Sequence, residues 1–172
     1  PDRHRREPRG PPGLTLLDLH LHPRRERLEL LALHPAHDLV VQAGLGGNRL
    51  LQDGFGPRAL DRYQRDVLDV TGVRAVVVQL GINDLHAVNA GIGPAVGAEE
   101  LIKGLSELVR RGHAAGVRVW LSTLPPCRGH GYATEATEAQ RVALNQWIRL
   151  QTLADGVVDF DAALRDPLDG TR

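Results

Sequence analysis

From Asp38 onward the chain alternates short apolar runs with longer amphipathic ones. Leu39-Val40-Val41-Gln42 predicts a short strand feeding a glycine-rich turn, Ala43-Gly44-Leu45-Gly46-Gly47-Asn48-Arg49. Residues 57–69 predict a helix, with Pro57 in the first turn, where its missing N–H costs nothing, and Leu60, Tyr63, Val67 and Leu68 along one face. The uninterrupted apolar run of residues 75–80 predicts a strand buried on both faces, and it leads into Gly81-Ile82-Asn83-Asp84. Residues 97–115 predict a second helix, with Leu101, Leu105, Leu108 and Val109 at helical spacing. Residues 117–122 predict a strand that ends in a Pro125-Pro126 loop. Thr134 or Thr137 then caps a long helix reaching about Leu153, and residues 157–160 predict a last strand. Upstream, residues 14–22 alternate as a strand would, Pro23 ends them, and residues 24–33 predict a helix. Residues 1–13, rich in Arg, Pro and Gly, read as a poorly ordered lead-in.

Strands that alternate with helices imply a parallel sheet covered on both faces. In such sheets ligands bind at the carboxyl ends of the strands. Both the glycine-rich turn and the Asn-Asp turn leave predicted strand ends there. Gly47 and Asn83 stand 36 residues apart, room for one strand–helix–strand crossover. Two such turns at one sheet edge can aim hydrogen-bond donors at a single point, the arrangement that holds a developing oxyanion. The bland reading of Gly44, Gly46 and Gly47 is a tight turn alone. A dinucleotide site is not indicated, because Asn48, Arg49 and Leu50 follow where the third glycine of that fingerprint belongs.

Composition narrows the class. At 172 residues the chain fits one domain with a real core. Basic and acidic residues balance at 21 each, which gives no electrostatic case for nucleic acid or an anionic membrane. No apolar stretch approaches the roughly 20 residues that span a bilayer. The first eleven residues carry no apolar signal-peptide region, and since the chain starts at Pro1 a secreted parent protein stays open. The single cysteine, Cys127, allows no internal disulfide.

The two turns, in this order and at this spacing, resemble the second and third motif blocks of the SGNH (GDSL-type) esterase and lipase family. The resemblance runs from about Asp38 to Arg172 and takes in Asp53-Gly54, Asp66-Val67-Leu68 and Val157-Val158-Asp159-Phe160-Asp161. It implies a three-layer α/β/α fold with a flavodoxin-like parallel sheet, and ester hydrolysis through a Ser–His–Asp relay. It also implies an oxyanion hole made by the Gly47 backbone N–H and the Asn83 side chain. Gly46, Asn48 and Asp84 would support that hole, Asp84 as a cap or a tie between loops. Arg49 would either pair with a carboxylate or touch ligand. The implied partner is a small-molecule ester, such as an acylated carbohydrate or lipid, with no cofactor.

The chain departs from the family in two places. It contains no Gly-Asp-Ser and no Asp-x-x-His, and its only serines are Ser106 and Ser122. Ser106 falls on a predicted helix and Ser122 inside a predicted strand, so no nucleophile is assigned. Residues 38–172 are expected to form a C-terminally truncated hydrolase-like domain with little or no esterase activity. Residues 1–37 lack Ser, Val and Ile, and they are expected to be an atypical segment, disordered or translated out of frame from a normal first block.

Three other constellations bear on function. Asp18, His20 and His22 alternate, so they would share one strand face. They resemble the first metal-ligand motif of amidohydrolase and PHP-type metal-dependent hydrolases. The remaining histidines show no matching arrangement, and the expectation is no metal, with polar residues facing out of a half-buried strand. Cys127 with His130 reads as an ordinary loop cysteine, and Trp120 and Trp147 read as core. The alternatives to an ester hydrolase are a non-catalytic ligand-binding module of the same fold and a metal-dependent hydrolase using Asp18, His20 and His22.

Overall fold

The structure, a computed structural model, describes residues 40–167. Contacts divide the chain into Pro1–Val41 and Gln42–Arg172. In the first unit only Val40 and Val41 are described, and both are exposed. The strand expected over residues 14–22, the helix expected over residues 24–33, and Asp18, His20 and His22 lie outside the described residues.

In the second unit the elements follow in the order α1 (Ala59–Tyr63), a π-helical turn (Gln64–Leu68), β1 (Ala75–Val78), α2 (Ile82–Ala87), α3 (Ala98–Ala114), β2 (Arg118–Ser122), α4 (Glu135–Leu150), β3 (Gly156–Val158) and α5 (Phe160–Ala163). The strands form one parallel sheet in the order β1-β2-β3. Each crossover carries a helix, as parallel strands require. The fold is therefore α/β with a parallel sheet.

Three helix ends show why these segments form where they do. Gly97 caps α3, and Glu100 reaches back to accept the Gly97 N–H at 3.1 Å. At α4 the cap is Thr134, not Thr137: Thr134 Oγ1 accepts the Thr137 N–H, and Thr137 Oγ1 accepts the Thr134 N–H at 2.8 Å. Asp159 caps α5 through Ala162 N–H, so Phe160 starts a helix and the last strand stops at Val158, two residues short of the expected end.

The core lies between the sheet and the helices. Leu101, Leu105, Leu108 and Val109 of α3 pack with Leu144 and Ile148 of α4, Val78 of β1, and Val119 and Leu121 of β2. Each such side chain removed from water contributes about 1.5–3 kcal/mol. Burial alternates along the strands. Val119 and Leu121 are fully buried, whereas Val77 is 51% exposed and Trp120 is half-buried. This corrects the expectation that β1 is buried on both faces. Among the described residues the helical layer covers one face, and an apolar run cannot report which of its faces meets a partner. Trp120 likewise is not core: it lies against Gly156, with the Arg118 guanidinium 5.2 Å from its ring centroid.

Two further expectations change. Residues 40–42 are not a strand, and Val40 is 99% exposed. A strand exists through its pairing, and no described strand lies beside this segment. The helix expected over residues 57–69 starts later and changes register. Asp53 Oδ1 accepts the Arg58 N–H at 2.8 Å, and the Asp69 N–H closes on Gln64 O at 2.8 Å, a π-type bond. No described helix is long and apolar enough to cross a membrane.

Candidate oxyanion site

Gly47 sits at the tip of the first turn with φ +70°, a conformation that an L side chain adopts only with strain. A Cβ at this position would also lie 2.5 Å from Cδ2 of Phe55. Phe55 is 78% exposed; its ring lies against the glycine rather than in the core. The turn is closed by Asn48 N–H donating to Leu45 O at 3.2 Å. Among the described residues the Gly47 N–H has no acceptor. Gly46 differs: a Cβ there would meet nothing within 4 Å, so space alone does not require glycine at that position.

Asn48, the next residue, is buried and fully engaged. Its Nδ2 donates to Pro57 O at 2.8 Å, and its Oδ1 accepts from Arg62 Nε at 2.9 Å. Arg62 also donates to Ala43 O at 2.6 Å and to Asp66 at 3.1 Å. Arg65, with Arg62 adding to it, holds the Asp66 carboxyl down to about 2. The turn is thereby anchored at both ends to α1 and the π-helical turn.

The second turn reaches the first through Asn83. Gly81 takes φ +123°, and a Cβ there would press on Leu101 at 3.3 Å. The chain then enters α2, with Asn83 in its first turn. Asn83 Nδ2 donates one hydrogen to Asn48 O at 3.0 Å. An amide nitrogen has two, and the other has no acceptor among the described residues. The side chain is thus oriented by one bond with one donor left over.

Asp84, 1% exposed, ties the two turns together. Its Oδ2 accepts the Leu50 N–H at 2.8 Å and its Oδ1 accepts the Leu51 N–H at 3.0 Å. Burial pushes its pKa up, against the opposing pull of those two N–H groups and of the Arg49 charge. Arg49 is not in an ion pair. It donates to Gln52 Oε1 at 3.3 Å and to Ile92 O at 3.2 Å, and no described carboxylate lies within 4 Å.

Neither serine presents itself as a nucleophile. Ser122 is buried, with its hydroxyl donating to Thr123 O at 3.0 Å, and Ser106 is half-buried on α3. Cys127 meets His86 and Glu138, each 3.8 Å from its sulfur, rather than His130. His130 instead stacks on His86, with ring centroids 5.2 Å apart. Burial, then Glu138, raises the Cys127 pKa, and burial, then His130, lowers that of His86. Both shifts favour the uncharged forms, thiol and neutral imidazole. Among the described residues no group of three or more His, Cys, Asp or Glu could hold a metal ion.

A second buried polar cluster escaped the sequence reading. Arg141 donates to Leu124 O at 2.7 Å and to Asp161 Oδ1 at 2.6 Å. Asn145 takes the Leu124 N–H and donates back to Leu124 O, both at 2.8 Å. Asp161, its side chain 3% exposed, also accepts from Arg149 and Arg165, each at 2.7 Å. Burial opposes its charge, but the arginines outweigh burial and its pKa falls. This cluster holds the segment leaving β2 at the carboxyl edge of the sheet. The signal available in the sequence was Arg141 and Asn145 sharing a helix face with Leu144 and Ile148, where apolar residues belong.

A family model described as GDSL-like Lipase/Acylhydrolase family matches residues 12–172. A search of curated proteins finds no match.

Proposed function

The chain belongs to the GDSL-like lipase/acylhydrolase family, and on that premise we propose that Gly47 and Asn83 form the oxyanion-stabilising part of an ester hydrolase site. The family is of the esterase and acylhydrolase kind, which makes esters the substrate class. The observation that carries the proposal is a pair of donors without an acceptor among the described residues: the Gly47 N–H and the second hydrogen of the Asn83 amide, on turns cross-tied by the Asn83–Asn48 bond. Both point to a role at the carbonyl oxygen, where negative charge develops as the carbonyl carbon becomes tetrahedral. Asn48 orients Asn83, Asp84 holds the following residues in place, and Gly46 completes the turn. One such donor is worth about 2.7–4 kcal/mol to the reaction.

In the parent chemistry a serine attacks the carbonyl, a histidine carries its proton to the leaving alcohol, and an aspartate orients the histidine. In this chain that relay has no assigned residues, so the polypeptide stabilises charge without supplying an attacking group. It turns esters over weakly or not at all. The substrate is a small ester such as an acylated sugar or lipid. The burial of Ser122 and the half-buried position of Ser106 on α3 favour, as a second reading, a module that binds such esters without cleaving them. For residues 1–37 the proposal is an out-of-frame tract in front of a hydrolase-like domain of residues 38–172. The coding DNA settles this point, because a shifted frame must encode Gly-Asp-Ser.

Titration of the full chain with butyl acetate, followed by amide resonances in NMR, tests the site. The Gly47 N–H and the Asn83 side-chain signals should move together with one dissociation constant. Shifts elsewhere with neither of these moving would remove the assignment. Turnover of p-nitrophenyl butyrate should not exceed that of a Gly47→Val, Asn83→Ala double variant, and clear excess would show a working nucleophile.

A further inference from the structure

Beyond the two turns, a set of contacts joins α2 to the segment that leaves β2. His86 stands in the last turn of α2 and is buried. Its ring stacks on that of His130, with the planes 8° apart and the centroids 5.2 Å apart. His130 itself is exposed. Its Nδ1 accepts the Tyr132 N–H at 3.4 Å, which requires the neutral tautomer with the proton on Nε2. In the same turn Tyr132 O accepts Asn89 Nδ2 at 2.8 Å, just past the end of α2. Cys127 Sγ lies beneath, 3.8 Å from His86 Nε2.

Both imidazoles are used uncharged. A protonated His130 carries a hydrogen on Nδ1, which then faces the Tyr132 N–H, and the bond between them is lost. A second proton, on His86, puts like charges on two parallel rings. The surrounding groups do little to offset this. Glu138 of α4 lies 3.8 Å from Cys127 Sγ, but Arg141 already engages its carboxylate at 2.7 and 2.8 Å. Tyr132 meets His130 ring to ring, at 5.5 Å. Arg128 and Glu135, of opposite sign, line a cavity beside Glu138. Asp84, on α2 itself, is taken up by the Leu50 and Leu51 N–H groups. Burial, then His130, lowers the His86 pKa, and Glu138 pulls the other way with less weight. A base whose pKa is depressed by folding contributes its stability above the unfolded value of 6.5 and loses it as pH falls.

We propose that the His86–His130 stack is an acid-released latch that holds residues 127–133 against α2. At neutral pH the stack and the Tyr132 N–H bond keep the segment closed and Cys127 half-buried. As the two rings take up protons, the Tyr132 bond breaks, the rings repel, and the segment leaves α2 and bares Cys127. Histidine is the side chain that changes charge in this mildly acidic range. Each proton taken up on opening raises the open population by up to about tenfold per pH unit. The latch needs neither the Gly47 N–H nor the Asn83 amide and is independent of the ester reading, yet it grips the helix that carries Asn83.

Cys127, the chain's single cysteine, is the probe. The full chain is treated with N-ethylmaleimide from about pH 7.5 to about pH 5, at constant ionic strength. The rate at Cys127 is divided by the rate of the urea-unfolded chain at the same pH, which removes the thiol's own titration. That ratio should rise about tenfold or more on acidification, while tryptophan fluorescence stays native. His130→Asn keeps a side-chain acceptor for the N–H two residues on and takes no proton, so its ratio should stay at the neutral-pH value. In the wild type, the Asn89 side-chain amide signals in ¹⁵N NMR should move with the same midpoint as the ratio. A flat ratio in the wild type, an equal rise in His130→Asn, or unmoved Asn89 signals would each overturn the latch. So would a rise that coincides with loss of the native tryptophan signal, which would mark unfolding of the whole domain.

Discussion

Replacing Asp84 should separate its role as a tie from any role in chemistry. The carboxylate is 1% exposed and accepts two backbone N–H groups, from Leu50 at 2.8 Å and Leu51 at 3.0 Å. Asp84→Ala leaves both donors without that partner. An unsatisfied buried donor costs about 1–3 kcal/mol, so with two of them the variant should lose roughly 2–6 kcal/mol, a large part of the stability of a domain this size. Asp84→Asn keeps the shape and one acceptor oxygen but turns an NH₂ toward the other backbone N–H. Its loss should be about 2–3 kcal/mol. The sign of the pH dependence is specific. Burial raises the folded-state pKa above 3.8, so folding favours the protonated acid. The favourable contribution is complete below the unfolded value and declines as pH rises from 3.8 toward the raised value. Asp84→Asn should remove that decline. Urea unfolding followed by tryptophan fluorescence, across acidic to neutral pH, measures both effects. An Asp84→Asn variant within about 0.5 kcal/mol of wild type would refute the tie.

Gly47→Ala should cost about 1–2 kcal/mol from the φ +70° backbone alone, with further loss as Phe55 is pushed aside; thermal unfolding and the butyl acetate titration measure the two consequences. Asp161→Ala should destabilise by roughly 3–5 kcal/mol, because Arg141 and Arg149 then lose a shared buried carboxylate; urea unfolding checks this. Leu121→Ala should cost about 2–5 kcal/mol, while Val77→Thr, at a position 51% exposed, should stay within about 0.5 kcal/mol. Comparing their unfolding midpoints tests which sheet face is the packed one.

Much of the architecture was legible before any coordinates. The long helices announced themselves because their apolar residues recur at helical spacing: Leu101, Leu105, Leu108 and Val109 are all buried, as their pattern required. The strand at residues 75–78 falls within the apolar run of residues 75–80, and that at residues 118–122 within the strand expected over residues 117–122. What failed were the statements that depend on a neighbour. Val40 and Val41 look like a strand, but pairing makes a strand, and among the described residues they pair with none. Val77 and Trp120 look like core, but composition cannot say which sheet face a helix covers.

The two turns divide in the same way. The sequence by itself determined that residues 43–49 and 81–84 are glycine-bearing turns, that they carry the family resemblance, and that no Gly-Asp-Ser or Asp-x-x-His accompanies them. Those facts are local, written in residue types and short spacings. Only the tertiary structure decided that Asn83 donates to Asn48 O, that Asp84 takes the Leu50 and Leu51 N–H groups, and that Arg49 Nε is buried with no partner among the described residues. Each of those joins groups more than 30 residues apart or depends on what fails to approach. Hydrogen bonds and burial are set by distances across the folded chain, and no spacing along it encodes them.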